Sequence, residues 1–390
     1  DNAEAGLRFQ LVDRHPWVFH ADGIQFVLVQ SLLVTPLLLV AMVVAAWRHA
    51  RDPRPAPRFF ALLGGLVVLG FFALGFFADT ERVSFHWPLQ GFIALLPLLP
   101  SVLDRWPRWL RLATGAFAAL GLALMLAYYA AVSVPRLRET TAATRWYPAN
   151  FAGWQKLAVQ TRRLLHAMPK KTRIVADDFK IGAELGFALR NPRIAVLPHP
   201  LNVKHGRAPQ LRLWGLREEM VDRSRGPVLL VVGASEVSLR ELPARYHELC
   251  QRVGPLPAPR TISIDHGRQR FLLFELPRLK QHGPGKGACT TPGVAWIERP
   301  AVGDKVGRRF EVSGWAFKDG VGLRAIWVTV DGRRVARADY GLPSVGPGMI
   351  WPFSNDPQQP NIGYRAQVDL GDMPAGRHWL GLWLIGRDGS

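Results

Sequence analysis

The first third of the chain is dominated by long apolar runs, and the remainder mixes apolar and polar positions. Four stretches contain no charged residue, namely residues 23–47, 59–78, 87–103 and 112–135. About 20 apolar residues in a helix are enough to cross the hydrocarbon core of a bilayer. The pattern therefore predicts a multidomain membrane protein that begins with an α-helical transmembrane bundle of four spans over residues 1–135.

After residue 135 the apolar runs become short and alternate with amphipathic segments. The predicted strands are residues 173–176, 194–197, 228–232 and 271–274, and the predicted helices are residues 154–168, 180–189 and 239–249. Asp178 is predicted to cap the second helix, and Ser238 with Glu241 matches a capping box before the third. Strands that alternate with helices favour a largely parallel sheet. Residues 145–280 are therefore predicted to form a small external α/β domain.

The last quarter of the chain is predicted to be all-β. Residues 281–292 are rich in Pro and Gly, which indicates a linker. The strands predicted after it are residues 309–315, 326–330, 334–340, 364–370 and 378–385. Asp331-Gly332 is a typical hairpin turn between two of them. Residues 293–390 are therefore predicted to form an immunoglobulin-like β-sandwich, which we expect to be truncated because the chain stops directly after a strand.

Four tryptophans lie in or beside these strands, and burial in the core is the ordinary fate of a Trp in a strand. They are Trp315, Trp327, Trp379 and Trp383. We therefore expect the sandwich to act as a spacer or packing domain, in preference to a glycan-binding one.

Charge refines the picture, because a formal net charge of +19 over 390 residues is high. Arginines are concentrated directly after the first and third spans, namely at Arg48, Arg51, Arg54, Arg58, Arg105, Arg108 and Arg111. Cytoplasmic loops collect Lys and Arg, so both connections are predicted to be cytoplasmic. Everything after Pro135 is then external, and the protein is predicted to be a multi-pass plasma (inner) membrane protein with periplasmic domains. This location excludes nucleic acid and favours membrane lipids and lipid-linked phosphates as partners.

Motifs for self-contained chemistry are absent from the sequence. There is no Walker loop, GxGxxG, HExxH or GxSxG, and we predict no metal site. Cys250 and Cys289 both lie in the external region, where thiols oxidise, and are predicted to form a disulfide. Asp177-Asp178 at the end of a strand has the composition of an acid/base pair, but a strand-end turn and a helix cap explain it more simply.

Several segments together resemble one membrane enzyme family. They are GLRFQLVDRHPW, the span with Gln30 and Thr35-Pro36, FHWPLQGFIALLP and ADDFKIGAELGFAL. In order and spacing they resemble the C-terminal half of bacterial GT-C glycosyltransferases related to dolichyl-phosphate-mannose-protein mannosyltransferases and aminoarabinose transferases. The resemblance covers roughly residues 6–280.

The resemblance implies an enzyme that transfers a sugar from a polyprenyl-phosphate carrier to a glycan, lipid or protein acceptor at the outer face of the membrane. It implies no further cofactor. In the family the carboxylate base lies in an acidic-aromatic motif of the type DEAYYW, followed by an HPP motif, and this sequence has neither. Because the opening segment is polar and has no initiator Met, we expect a C-terminal fragment whose catalytic residues lie upstream, and which is inactive alone.

The external ends of the spans supply cations that fit a lipid phosphate. Arg82 and His86 are the only basic residues between the second and third spans, and the helix that starts beside His86 favours an anion at its N-terminus. Arg14 and His15 are second candidates for the same site. All four are predicted to contact the carrier phosphate.

Two other classes of protein fit the same pattern. A non-catalytic, membrane-anchored carbohydrate-binding or assembly subunit would show the same spans and external domains. A transporter or sensor would favour ionisable residues inside the spans, and residues 24–47 contain none.

Overall fold

The structure, a computed structural model, describes residues 17–77 and 86–389. The chain forms two compact units, Asp1–Val134 and Pro135–Ser390. The boundary coincides with the end of the last long apolar run. The protein is thus a mixed helical and β protein with its long apolar helices in the first unit.

The described part of the first unit consists of helices and short connections. The α-helices are α1 (Ile24–Val34), α2 (Pro36–His49), α3 (Pro55–Gly75), α4 (Leu89–Leu95), α5 (Leu99–Leu103) and α6 (Arg108–Ser133). Among the described residues, α3 and α6 are long and apolar enough to cross a membrane as unbroken helices. Only 22% and 6% of their most apolar stretches are buried inside the protein, so most of these side chains face outward.

The four predicted spans are therefore confirmed in part. The stretch at 23–47 forms α1 and α2, which meet at a bend of 102°. Pro36 begins α2 and lacks the N–H that would continue α1, and Thr35 before it has a φ of 72°. The stretch at 87–103 is divided into α4, a 3₁₀ turn at Leu96–Leu98 and α5. Proline residues interrupt both stretches, which apolar composition alone does not reveal.

Two glycines let α3 and α4 approach closely. A Cβ at Gly64 would lie 2.7 Å from the carbonyl oxygen of Gly91, and a Cβ at Gly91 would lie 2.8 Å from Val68. Small residues at such a crossing allow helix backbones to pack without a hydrophobic driving force. The packing of α4 against α3 therefore depends on both positions.

The second unit begins with helices around a five-stranded sheet. Its helices are α7 (Pro135–Thr140), α8 (Trp154–Ala167), α9 (Phe179–Leu189), α10 (Pro200–Lys204), α11 (Ala208–Leu213) and α12 (Leu242–Val253). Its strands are β1 (Arg173–Ala176), β2 (Ala195–Val196), β3 (Val228–Val232), β4 (Arg260–Ile264) and β5 (Gln269–Leu276). The strand order is β2-β1-β3-β5-β4.

This sheet is mixed, whereas the sequence pattern predicted a largely parallel one. Strand β1 pairs parallel with β2 and β3, but β5 runs antiparallel to β3 and β4. The turn around Asp265–Gly267 joins β4 directly to β5, and so short a connection permits only antiparallel pairing. All five residues of β3 are buried, as expected for a central strand covered on both faces.

The rest of the second unit is built from two antiparallel sheets. Its elements are β6 (Val294–Arg299), β7 (Arg309–Phe317), β8 (Leu323–Val330), β9 (Arg333–Arg337), β10 (Asp339–Leu342), α13 (Gly346–Ile350), β11 (Gly363–Asp369) and β12 (Leu380–Gly386). The four-stranded sheet has the order β10-β11-β7-β6, and the three-stranded sheet has the order β12-β8-β9. Buried residues of both sheets, among them Val312, Ile326 and Val328, share one core.

Local sequence signals explain two features of these sheets. Asp331 and Gly332 have φ values of 50° and 79°, which a type I′ turn requires at both positions, and they join β8 to β9. The run predicted as one strand at 334–340 forms two, because the chain passes at Ala338 from the three-stranded to the four-stranded sheet.

The α/β part and the β-sandwich share a continuous core. Leu230 of β3 and Phe317 of β7 belong to one group of buried side chains, so the buried apolar contacts run from one part into the other. Cys250 of α12 and Cys289 form a disulfide, with a Cα–Cα distance of 5.7 Å. The disulfide therefore ties the segment 281–292 covalently to α12 of the α/β part.

Candidate functional site at the carboxyl end of the parallel strands

The order of the parallel strands in the five-stranded sheet defines a candidate site. Strand β1 is followed by α9 and then by β2 on one side, and the chain returns to β3 on the other side of β1. The carboxyl ends of β1 and β3 thus meet where the strand order reverses, and open α/β sheets bind ligands at such a point. Asp177 and Asp178 follow β1, and Gly233 follows β3.

Asp178 is the cap of α9. Its Oδ1 accepts hydrogen bonds from the backbone N–H groups of Lys180 (2.7 Å) and Ile181 (3.3 Å), so the predicted cap is confirmed. Its Oδ2 is buried without a hydrogen-bond partner in the described structure. Burial, with the charges of Asp177 and Glu236, raises the pKa of Asp178 to about 7.

Asp177 makes a buried ion pair at the same end of the sheet. Its Oδ1 accepts hydrogen bonds from Nε (3.1 Å) and Nη2 of Arg245 on α12. Asp177 is 0% exposed and Arg245 is 4% exposed. Arg245 also pairs with Glu248 through a 2.5 Å contact. A charge in so dry a place is tolerated only with its counter-charge present.

His199 completes the group. Its Nδ1 accepts a hydrogen bond from the N–H of Leu201 at 3.1 Å, so the proton of the neutral ring resides on Nε2. Nε2 lies 4.0 Å from Oδ2 of Asp177, beyond hydrogen-bond distance. Burial lowers the pKa of His199, although Asp177 opposes that shift. We name Asp177, Asp178, His199 and Arg245 the carboxyl-edge cluster.

An outer layer of polar contacts surrounds the carboxyl-edge cluster. Nζ of Lys180 donates to Glu236 at 2.7 Å and to Asn150 at 3.1 Å. Oδ1 of Asn202, a buried side chain, accepts from the backbone N–H of Phe179 at 2.9 Å. These contacts fix the first turn of α9 from two directions.

The cluster combines the carboxyl of Asp178, whose pKa burial raises to about 7, with three buried polar atoms that have no hydrogen-bond partner in the described structure, which are Oδ2 of Asp177, Oδ2 of Asp178 and Nε2 of His199. All three are shielded from solvent in the described structure. The observed contacts cap α9 and neutralise Arg245. Among residues 17–77 and 86–389, no group of three or more His, Cys, Asp or Glu is placed to hold a metal ion.

The residues predicted to bind a lipid phosphate are only partly described. Arg14, His15 and Arg82 lie outside the described residues. His86 is exposed and lies in the turn before α4, where its carbonyl accepts from the N–H of Leu89. Their role as a phosphate site therefore stays a prediction.

Arg245 is one of the two members of the cluster that sequence analysis missed. It lies 68 positions from Asp177 in the chain, inside an amphipathic helix where an Arg normally faces solvent. No local pattern marks such a pairing. His199 is the other, and the nearby His205 packs instead against the ring of Phe179.

The expectation of buried strand tryptophans needs correction. Trp315 is buried at 7% exposure, but Trp383 is 51% exposed. Trp327 is half-buried, and Trp379 is half-buried with its ring stacked on His266 at 4.1 Å. The alternation of residues along a strand assigns each Trp to one face of its sheet. It does not reveal which outer faces are covered by another part of the protein.

Comparison of the chain with known protein families, curated proteins and solved structures finds no match.

Proposed function

We propose that this chain belongs to an integral membrane glycosyltransferase of the GT-C type. In this proposal a sugar passes from a polyprenyl-phosphate carrier to an acceptor at the outer face of the plasma membrane. The helical unit provides the lipid side of the enzyme, with the two broken stretches counted as spans, and the second unit lies outside the cytoplasm.

The observation that carries the proposal is the Cys250–Cys289 disulfide in the unit that follows the last long apolar helix. Disulfides persist outside the cytoplasm and are rare within it. This supports an external second unit, in agreement with the arginine-rich connections after Trp47 and Leu103. Enzymes that use polyprenyl-phosphate sugars at the outer face need such an arrangement.

Sugar transfer from a lipid phosphate needs cations and a carboxylate base, and the proposal assigns only the cations to this chain. A phosphate leaving group is stabilised by cations, and the proposal assigns this role to Arg82 and His86, with Arg14 and His15 as further contacts. The acceptor hydroxyl needs a carboxylate base, and we assign that role to no residue of this chain. The segment ADDFKIGAELGFAL, which carries part of the family resemblance, contains the end of β1, Asp177, Asp178 and α9.

The order of strands supports the immunoglobulin-like assignment of the sandwich. When β6, β7, β10 and β11 are labelled A, B, D and E, the four-stranded sheet has the order D-E-B-A. With β8 as C, β9 as C′ and β12 as F, the second sheet has the order F-C-C′. Immunoglobulin sheets contain the same neighbours.

A transfer assay tests the proposed function. The complete protein encoded by the gene is placed in nanodiscs with polyprenyl-phosphate-linked hexoses and pentoses, and release of polyprenyl phosphate is followed by mass spectrometry. We expect release from at least one donor and slower release with Arg82→Ala or His86→Ala. Wild-type kinetics for both variants over a range of carrier concentrations would exclude the phosphate site, and no release from any donor would exclude the transferase.

Labelling of single cysteines tests the orientation independently of activity. Cysteines at Arg54 and Arg108 should resist a membrane-impermeant thiol reagent in intact cells, whereas one at Ser84 should react. Labelling of the cysteine at Arg54 but not of the one at Ser84 would show that the proposed membrane orientation is reversed.

A membrane-anchored carbohydrate-binding or assembly subunit is the second candidate function. The exposed Trp383 on the sandwich favours it, because a spacer domain needs no exposed indole. Such a subunit would bind glycan and release no polyprenyl phosphate in the transfer assay.

A further inference from the structure

The two sheets of the β-sandwich have different outer faces. The outer face of the four-stranded sheet is covered at Trp315 and Phe317, which pack with Trp351 in the core shared with the α/β part. Nε1 of Trp351 donates to the carbonyl of Arg240, which adds a polar link to that interface. Trp315 and Phe317 of this face are therefore used internally, whereas Trp296, directly opposite Trp315 on β6, stays 52% exposed.

The outer face of the three-stranded sheet presents cross-strand rows of directly paired residues. One row is Gly381, Thr329 and Arg334, the next is Trp383, Trp327 and Arg337, and the third is Ile385 with Ala325. Residues directly opposite each other on paired strands project from the same face of the sheet. We name Trp327, Arg334, Arg337 and Trp383 the Trp–Arg face.

The side chains of the Trp–Arg face contact one another and remain open to solvent. Cζ of Arg334 lies 4.2 Å from the ring centroid of Trp383 and 5.8 Å from that of Trp327. Trp383 is 51% exposed, and Arg334 and Arg337 are exposed. The three rows contain no acidic residue, and no carboxylate in the described part of the chain forms an ion pair with either arginine.

These groups have the chemistry of a site for charged sugars. An indole presents a flat apolar surface that stacks on the C–H face of a pyranose ring, and its size makes it a strong contact residue. A guanidinium binds carboxylate or phosphate through paired hydrogen bonds. We propose that the Trp–Arg face binds a saccharide chain that carries carboxylate or phosphate groups. Because binding needs no donor sugar, this inference is independent of the proposed transfer reaction.

The same contacts argue against insertion of this face into a bilayer. Arg334 lies against the ring of Trp383, so burial of the ring in hydrocarbon would carry a guanidinium with it. A charged side chain in the hydrocarbon region of a bilayer is strongly unfavourable. An anionic saccharide can instead pair with both arginines while its ring contacts an indole.

Binding to defined oligosaccharides tests the inference. The full chain is held in phosphatidylcholine nanodiscs and titrated calorimetrically with an alginate hexamer, a phosphomannan oligomer and a neutral dextran oligomer. We expect binding of at least one anionic oligomer, with an affinity that falls as NaCl is added. Trp383→Ala and Arg337→Ala should each weaken that binding about tenfold or more.

Trp296→Ala is the matched control, because Trp296 is 52% exposed but lies on the other sheet; we expect unchanged affinity. Hydrogen exchange over β8 and β12 checks that each variant keeps the three-stranded sheet. Arg337→Ala is included because it alters an exposed side chain that the core does not need. The inference is overturned if neither anionic oligomer binds, if dextran binds equally well, or if both variants bind as wild type does. The inference would also be overturned, in favour of a membrane contact, by a third result. In that result the wild type floats with phosphatidylglycerol vesicles, Trp383→Ala abolishes the flotation, and no saccharide binds.

Discussion

The carboxyl-edge cluster and the Trp–Arg face both contain arginines, but in opposite environments. Arg245 is buried and paired with Asp177, whereas Arg334 and Arg337 are exposed beside two indoles. A buried charge that loses its partner retains the full desolvation penalty, while an exposed charge is solvated by water. We therefore expect substitutions in the closed cluster to change stability and substitutions on the open face to change binding.

The largest expected effect is that of Asp177→Asn. It leaves the guanidinium of Arg245 with Glu248 as its remaining acidic partner. We expect the local free energy of unfolding to fall by about 3 kcal/mol or more, seen as faster hydrogen exchange in β1 and α12 of the detergent-solubilised chain. Glu184→Gln, at an exposed carboxylate of α9, is the control and should leave exchange unchanged. Equal exchange in Asp177→Asn and wild type would show that the buried pair contributes nothing.

Asp178→Asn should raise the free energy of unfolding, and the size of this effect should depend on pH. Because the pKa of Asp178 is about 7 in the folded protein, against an ordinary value of 3.8 for Asp, the folded chain retains a proton that the unfolded chain releases. The free energy of unfolding of the wild type should therefore fall as pH rises from about 4 to about 7. Asn keeps the cap without a charge.

At pH 8 we expect the Asp178→Asn variant to be the more stable, by about 2–4 kcal/mol, and at pH 4 to match the wild type. Hydrogen exchange of α9, corrected for the pH dependence of the intrinsic exchange rate, measures both values. Equal stability at pH 8, or a variant that is less stable there, would contradict the raised pKa.

Trp383→Ala should change stability much less than it changes saccharide binding. The indole contributes a cross-strand pair with Trp327 and a cation–π contact with Arg334, and each is worth about 0.5–1 kcal/mol at an exposed site. We expect a loss of about 1 kcal/mol, measured by exchange in β8 and β12. A loss as large as that of Asp177→Asn would mean that the Trp–Arg face is chiefly a packing element.

Arg337→Ala should have the smallest effect on stability. Its side chain is exposed and has no carboxylate partner in the described part of the chain, so we expect a change within about 0.5 kcal/mol. The same exchange measurement detects it. A larger loss would show that the face needs this charge for folding.

Local signals explain how much of the fold could be predicted. The strand at β3 and the turn at Asp331-Gly332 follow from a continuous apolar run and from the φ values that a tight hairpin needs. Strand β4 was missed because only Ile262 and Ile264 are buried in it, and such a short alternation is a weak signal. The predicted capping box at Ser238 and Glu241 is wrong, because the two side chains hydrogen-bond to each other at 2.9 Å and α12 begins later, at Leu242, without a side-chain cap.

The sequence by itself determined the elements that depend on neighbouring residues: apolar helices, the cap at Asp178, hairpin turns and an α/β region followed by β-strands. Only the tertiary structure decided which side chains meet across long separations. Arg245 reaches Asp177 because α12 packs over the end of β1, and Trp383 stays exposed because the α/β part covers the other sheet of the sandwich. Burial and pairing are properties of the whole chain, since the free energy of a charge or an indole depends on what the rest of the fold places against it.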